Sequence, residues 1–277
     1  MPRRVEVWFV RHGEKEWLEL NKRTHDQVLT REGHAKTRKL GERLGTRSRA
    51  YTRVFSSGTT PTLQTAANIA HGIRSKGGKV FEGQGIVPLF AQHNPAGGVL
   101  EPGAALHISP GMYEDFRENA RTGKGGLPSF TKWMEGRFKD AASPERAGSL
   151  MANWLARPYA EAQKKGPPLR YVMASHGGSN LEALFYALTG VNAAEVKGKG
   201  LVSYAQGFGV IMEGKKVKVE FRNRLFPLYP AWKGILRKAS EARRAALIER
   251  SIHTMEEQRR MRVQRKKRDS KRRTWKG

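Results

Sequence analysis

Two short stretches of this chain carry residue types able to do chemistry: Arg11-His12-Gly13-Glu14 and Ser175-His176-Gly177-Gly178. An unperturbed imidazole titrates at about 6.5, so its neutral form serves as nucleophile or base near physiological pH. Each stretch follows a short apolar run, 5–10 in the first case and 170–175 in the second. Such runs read as buried parallel strands. The loops then open at the carboxyl ends of strands, where open α/β sheets bind ligands. Glycine beside each histidine permits close approach of backbone to a ligand. Free N–H groups at the start of a following helix favour an anion there. One such histidine is usually structural; two in the same context argue against that.

The elements that must position these loops are legible in outline. Thr30 caps a predicted helix in which Ala35, Leu40 and Leu44 share a face. A second strand at 53–57 runs into Gly58-Thr59-Thr60-Pro61, with Thr60 as the expected N-cap, Pro61 in the first helical position and a helix over 62–73. From 84 to 128 glycine and proline recur, and only a short helix at 113–121 is expected in an otherwise irregular insert. A helical stretch from Ser143 to Lys165, broken near Pro158, ends at Gly166-Pro167-Pro168. A helix over 179–188 and a hairpin of 207–212 with 216–221 around Glu213-Gly214-Lys215 follow. The pattern predicts an α/β domain over 1–230: three layers, with a doubly wound, mostly parallel sheet flanked by helices. Residues 231–277 form a long basic helical extension.

The paired motifs, with Leu29-Thr30-x-x-Gly33 between them, resemble the histidine phosphatase (phosphoglycerate-mutase-like) superfamily over roughly residues 5–221. The match is loose between Gln64 and Asn180. The resemblance implies that His12 attacks phosphorus and becomes a phosphohistidine. It implies that Arg11 and His176 neutralise charge on the transferred group, and it sets Glu14 in the same catalytic set. Gly13, Ser57 and Gly177 would join Arg11 in the phosphate cradle. The family also needs a second arginine and a carboxylic acid. Anchored on Gln64-Thr65-Ala66, the arginine position is Pro61, which has neither charge nor N–H. The acid position in Val87-Pro88-Leu89-Phe90-Ala91 is Ala91. Glu82, Glu101, Glu114 and Asp115 are the other acids in range, and Arg31 and Arg117 are candidates to replace the arginine. Losing one such donor costs about 10²–10³ in rate, and losing the acid about 10²–10⁴ more. A pseudo-phosphatase with weak or lost catalysis is therefore expected.

Lys and Arg number 52 against 25 Asp and Glu, for a net charge of +27 and a pI near 10.7. A charge that large implies a polyanionic partner. The last twenty residues hold eleven Lys/Arg and one acid, with Arg259, Arg260, Arg262, Arg265, Lys266, Lys267, Arg268, Lys271, Arg272 and Arg273 as the candidate nucleic-acid contacts. Only Met261, Val263 and Trp275 among the last twenty residues are apolar, too few for the apolar face a membrane-surface helix needs. RNA fits better, because arginine binds phosphate bidentately and stacks on exposed bases. The chain has no cysteine, which excludes disulfides and thiolate metal sites. His25, His34, His71, His93, His107 and His253 show no ligand spacing, so neither metal nor cofactor is expected. No apolar run reaches membrane-span length, and the N-terminus lacks a secretory cleavage site. An intracellular location follows, mitochondrial or cytoplasmic. The reading reached is an RNA-associated structural component of a ribonucleoprotein assembly such as a ribosome, with neighbouring proteins as further partners. The alternative is an active phosphomonoesterase or phosphoprotein phosphatase working through His12. A phosphorylated ligand suits either.

Overall fold

The computed structural model describes residues 1–16, 27–47, 50–81, 85–86, 110–124, 126–139, 141, 143–177, 180–198, 200–230, 232 and 234–238. Among them seven strands form one sheet in the order β3-β2-β4-β1-β5-β6-β7. The strands are β1 (Arg4–Arg11), β2 (Tyr51–Ser56), β3 (Gly85–Ile86), β4 (Leu169–Ser175), β5 (Gly207–Glu213), β6 (Lys216–Phe221) and β7 (Arg224–Pro227). Pairing is parallel from β3 through β1 and antiparallel from β1 through β7. The helices are α1 (Arg31–Arg47), α2 (Thr60–Ser75), α3 (Pro110–Arg121), α4 (Leu127–Met134), α5 (Pro144–Ala152), α6 (Ala156–Ala162) and α7 (Leu181–Thr189).

Side-chain alternation along the central strands builds two cores, because successive residues of a strand point to opposite faces. Val5, Val7, Phe9, Tyr171 and Met173 face the larger core, which contains residues of α5, α6 and α7. Val10, Val172 and Ala174 face a smaller one with Leu44, Ala66, Ile69 and Ile73 of α1 and α2. The sheet is therefore sandwiched between two helical layers, as the near-continuous apolar runs of β1 and β4 require.

Several boundaries differ from those read off the sequence. The N-cap of α2 is Thr59, not Thr60. The N–H groups of both Thr62 and Leu63 bond to the Thr59 carbonyl, which starts the helix one residue earlier. The break in the 143–165 stretch falls at a 3-10 turn, Asn153–Leu155, rather than at Pro158. Pro158 sits in the first turn of α6, where a missing N–H costs nothing. Helix α4 and strand β7 were not anticipated. Of the 84–128 insert, 85–86, 110–124 and 126–128 are described. The large core continues past residue 230, since Trp232 and Leu236 are buried in it. The basic residues from Arg259 to Arg273 lie outside the described residues.

Candidate active site at the carboxyl edge of the sheet

Strand register brings the two histidine loops together. In the parallel β1–β4 pair, Arg11 stands opposite Ser175, so the next residue on each strand is a histidine. The β2–β4 register places Ser56 opposite Ala174, and Ser57 follows. Three loops thus open side by side, with that of His176 in the middle. The imidazoles of His12 and His176 lie with ring centroids 5.0 Å apart and planes at 66°. They are 4% and 8% exposed.

His12 is held in one tautomer. Its Nδ1 donates to the Gly13 carbonyl at 2.7 Å. A carbonyl only accepts, so the proton sits on Nδ1 and the Nε2 lone pair is left for chemistry. Burial pushes the His12 pKa down to about 3; the Gly13 bond opposes this, and Arg11 and Lys15 add to it. The ring is therefore neutral at physiological pH. The Gly13 N–H is fixed by Thr65 Oγ1 of α2 at 3.0 Å. The loop also needs Gly33 of α1: a Cβ there would stand 2.2 Å from the Glu14 carbonyl. Thr30, whose hydroxyl accepts from Gly33 N–H at 2.9 Å, caps α1 as expected and binds the Glu14 carbonyl through its own N–H.

Arg11 is clamped. Its Nη1 donates to Val202 O at 2.7 Å, and its guanidinium carbon lies 4.1 Å from the Tyr204 ring centroid. Val202 is held in turn by Glu182 of α7, whose Oε1 accepts its N–H at 2.8 Å. The Tyr204 ring also packs 5.5 Å from that of His12. The Nε of Arg11 is buried with no hydrogen-bond partner among the described residues. Such an orphaned cationic donor beside two imidazoles suits an anion. Gly177 lies against Arg11, where a Cβ would meet the arginine side chain at 2.9 Å.

The wall where the family's second arginine is expected is built of hydroxyls. Pro61 is buried in the first turn of α2. Beside it, Thr59 Oγ1 is 3.2 Å from His176 Nε2, and Thr62 Oγ1 bonds to Ser56, Ser57 and Thr59. The Ser57 N–H is taken by Ala174 O and its hydroxyl donates to Thr62 Oγ1, so both Ser57 donors are engaged within the wall. Arg31 and Arg117, the candidate replacements, are both exposed. The cations that act on His12 are Arg11 and Lys15. Lys15 was missed by the sequence reading. Burial, aided by the charge of Arg11, lowers its pKa to about 8. The signal was its place three residues past His12.

Among the described residues no carboxylate contributes to the His12 shift. Glu14 contributes its carbonyl to Thr30, and its side chain is half-exposed. Glu114 is exposed, and Asp115 is paired with Lys132. Glu82, Ala91 and Glu101 lie outside the described residues. Among the described residues no group of three or more His, Asp or Glu side chains is arranged to hold a metal.

Residues 7–77 match the family model described as the histidine phosphatase superfamily (branch 1). Among solved structures, the phosphoglycerate mutase from Bacillus anthracis str. Sterne has a TM-score of 0.50 at 14% identity, covering 86% of this chain and 97% of its own. A mycobacterial glucosyl-3-phosphoglycerate phosphatase matches with a TM-score of 0.47 at 16% identity, covering 81% of this chain and 97% of its own. No curated protein matches in sequence.

Proposed function

The chain belongs to the histidine phosphatase superfamily, and from that membership we propose that it binds phosphate groups at the His12–His176 hollow while acting chiefly as an RNA-associated component of a ribonucleoprotein assembly, with phosphoryl transfer slow or lost. One observation carries the reading. The hollow has two imidazoles, Arg11 and Lys15, but a hydroxyl wall beside Pro61 and, among the described residues, no carboxylate acting on His12. It can hold an anion, yet among the described residues it has neither a second arginine to stabilise the transition state nor a carboxylic acid to protonate the leaving oxygen. The net charge of +27 supports a polyanionic partner outside the hollow. An intracellular location, mitochondrial or cytoplasmic, goes with it. The test is binding of the full chain to structured and single-stranded RNA across a salt series. Affinity that falls steeply with salt and weakens on truncation at Gln258 is expected; no measurable binding at moderate salt defeats the reading.

A second reading, an active phosphomonoesterase or phosphoprotein phosphatase, is favoured by the unprotonated Nε2 of His12. An aryl phosphate, whose good leaving group needs no proton, isolates the nucleophilic step from the missing acid. Turnover in the wild type that His12→Ala abolishes would establish it; equal background rates in both would end it.

A further inference from the structure

At the other edge of the sheet lies a cavity of about 360 Å³ lined by Arg3, Tyr51, Arg53, Phe81, Arg157, Glu161, Pro167, Leu169 and Tyr171. Arg3, Tyr51 and Leu169 stand at the amino ends of β1, β2 and β4. At about 3.3 Å per residue, the length of β1 puts this cavity roughly 20–25 Å from the histidines. Its rim is fixed by backbone bonds. Arg3 N–H donates to Lys164 O at 2.8 Å, Tyr51 N–H to Pro168 O at 3.1 Å, and Phe81 N–H to Thr52 O at 2.9 Å.

The lining combines cations with aromatic faces. The Arg53 guanidinium carbon lies 4.7 Å from the Phe81 ring centroid, and Phe81 is 39% exposed. The Tyr51 and Phe81 rings are 5.8 Å apart, and Lys79 Nζ lies 4.9 Å from the Tyr51 ring. Glu161, the one carboxylate among the described lining residues, pairs with Arg3 and Lys164. Among the described residues neither Arg53 nor Arg157 forms an ion pair, and the buried Arg3 Nε has no hydrogen-bond partner. Three arginines against one carboxylate among these described residues leave the balance positive.

We infer that this cavity receives one unstacked nucleotide of a single-stranded RNA, its base on the Phe81–Arg53 platform beside Tyr51 and its phosphate on Arg53 and Arg157. The volume sits at the small end of ligand pockets, roughly 300–1,000 Å³, which suits one nucleotide and excludes a duplex. Aromatic faces hold bases by stacking, and arginine serves both base and phosphate. Tyr51 and Tyr171 add hydroxyl groups for the base edge. The inference rests on the RNA association proposed above and names where on the folded domain a strand would be gripped.

The experiment is fluorescence anisotropy of the full chain with a labelled oligouridine, for wild type, Arg157→Ala, Arg53→Gln and Phe81→Leu. It is repeated after truncation at Gln258 and accompanied by 4-thiouridine cross-linking mapped by mass spectrometry. Arg157 is exposed on α6 and Phe81 is at the surface, so those variants keep the fold even if Arg53→Gln does not. A loss of about tenfold in affinity for Phe81→Leu and for Arg157→Ala, retained in the truncated chain, with cross-links at Tyr51 or Phe81, is the expected result. Wild-type binding that these variants leave unchanged overturns the inference and spares the RNA reading. Absence of binding in the wild type overturns both. A free uridine monophosphate that binds as tightly as the oligonucleotide overturns the strand and points to a free nucleotide.

Discussion

His12 spends its burial on reactivity at the expense of acid stability. Its folded pKa of about 3 lies below the unfolded value of 6.5. Between those values the unfolded chain binds a proton that the native one refuses. Stability is therefore full above pH 6.5 and falls as pH drops toward 3, by at most about 5 kcal/mol. Denaturant titrations from pH 4 to 7 should show this slope, and His12→Gln should flatten it. Lys15 gives the opposite kind of signature, in binding. Held at about 8 by burial and Arg11, it is charged below that pH and neutral above it. Sulfate keeps constant charge over the range and isolates the lysine. Its affinity should fall as pH rises through 8, and Lys15→Met should remove the pH dependence and cost about tenfold at pH 7, the size of one charge-assisted hydrogen bond. A pH-independent affinity in the wild type would take Lys15 out of the pocket.

At the scale of elements, the site depends on contacts that hold β1, β4 and α1 in register. Arg170 of β4, 2% exposed, pairs with Glu6 of β1 at 2.9 Å and donates to Leu44 O of α1 at 2.6 Å. The Glu6 pKa is lowered overall: burial, the largest influence, raises it, but the charge and hydrogen bonds of Arg170 and Arg4 outweigh burial. Removing one partner of a buried pair leaves the other charge stranded. Arg170→Leu should therefore cost about 3–5 kcal/mol, and the double change Arg170→Met with Glu6→Gln should recover most of it. Chemical denaturation of the three chains checks this. Gly33→Ala acts on another junction. Its Cβ would press on the Glu14 carbonyl and push the His12 loop away from α1, so a loss of about 1–3 kcal/mol is expected with weakened sulfate binding.

For the whole molecule, the twenty C-terminal residues hold eleven of the 52 Lys and Arg. Most of the positive charge therefore belongs to the rest of the chain, including the amino edge of the sheet. Each phosphate neutralised on a single strand contributes about 0.7 to the slope of log affinity against log salt. Truncation at Gln258 should reduce that slope by several units without abolishing it. Complete loss of binding on truncation would place the whole RNA interface in the tail.

Local features were legible because they depend on neighbours in sequence. Both histidine loops, the Thr30 cap, the apolar strands, the hairpin and the missing arginine at Pro61 follow from residue types and spacing. So does the resemblance that named the superfamily. The limits of α2, the break before α6, helix α4 and strand β7 were set by packing that no local pattern carries. The opposition of Arg11 to Ser175 turns two distant histidines into one hollow. It is fixed by strand register, which is enforced by alternating side chains meeting two separate cores. The clamp of Glu182 through Val202 on Arg11 and the arginine-lined cavity at the amino edge join residues up to 191 positions apart. Only the folded chain brings such groups near enough to shift a pKa or share a ligand, because Coulomb and hydrogen-bond energies depend on distance through space.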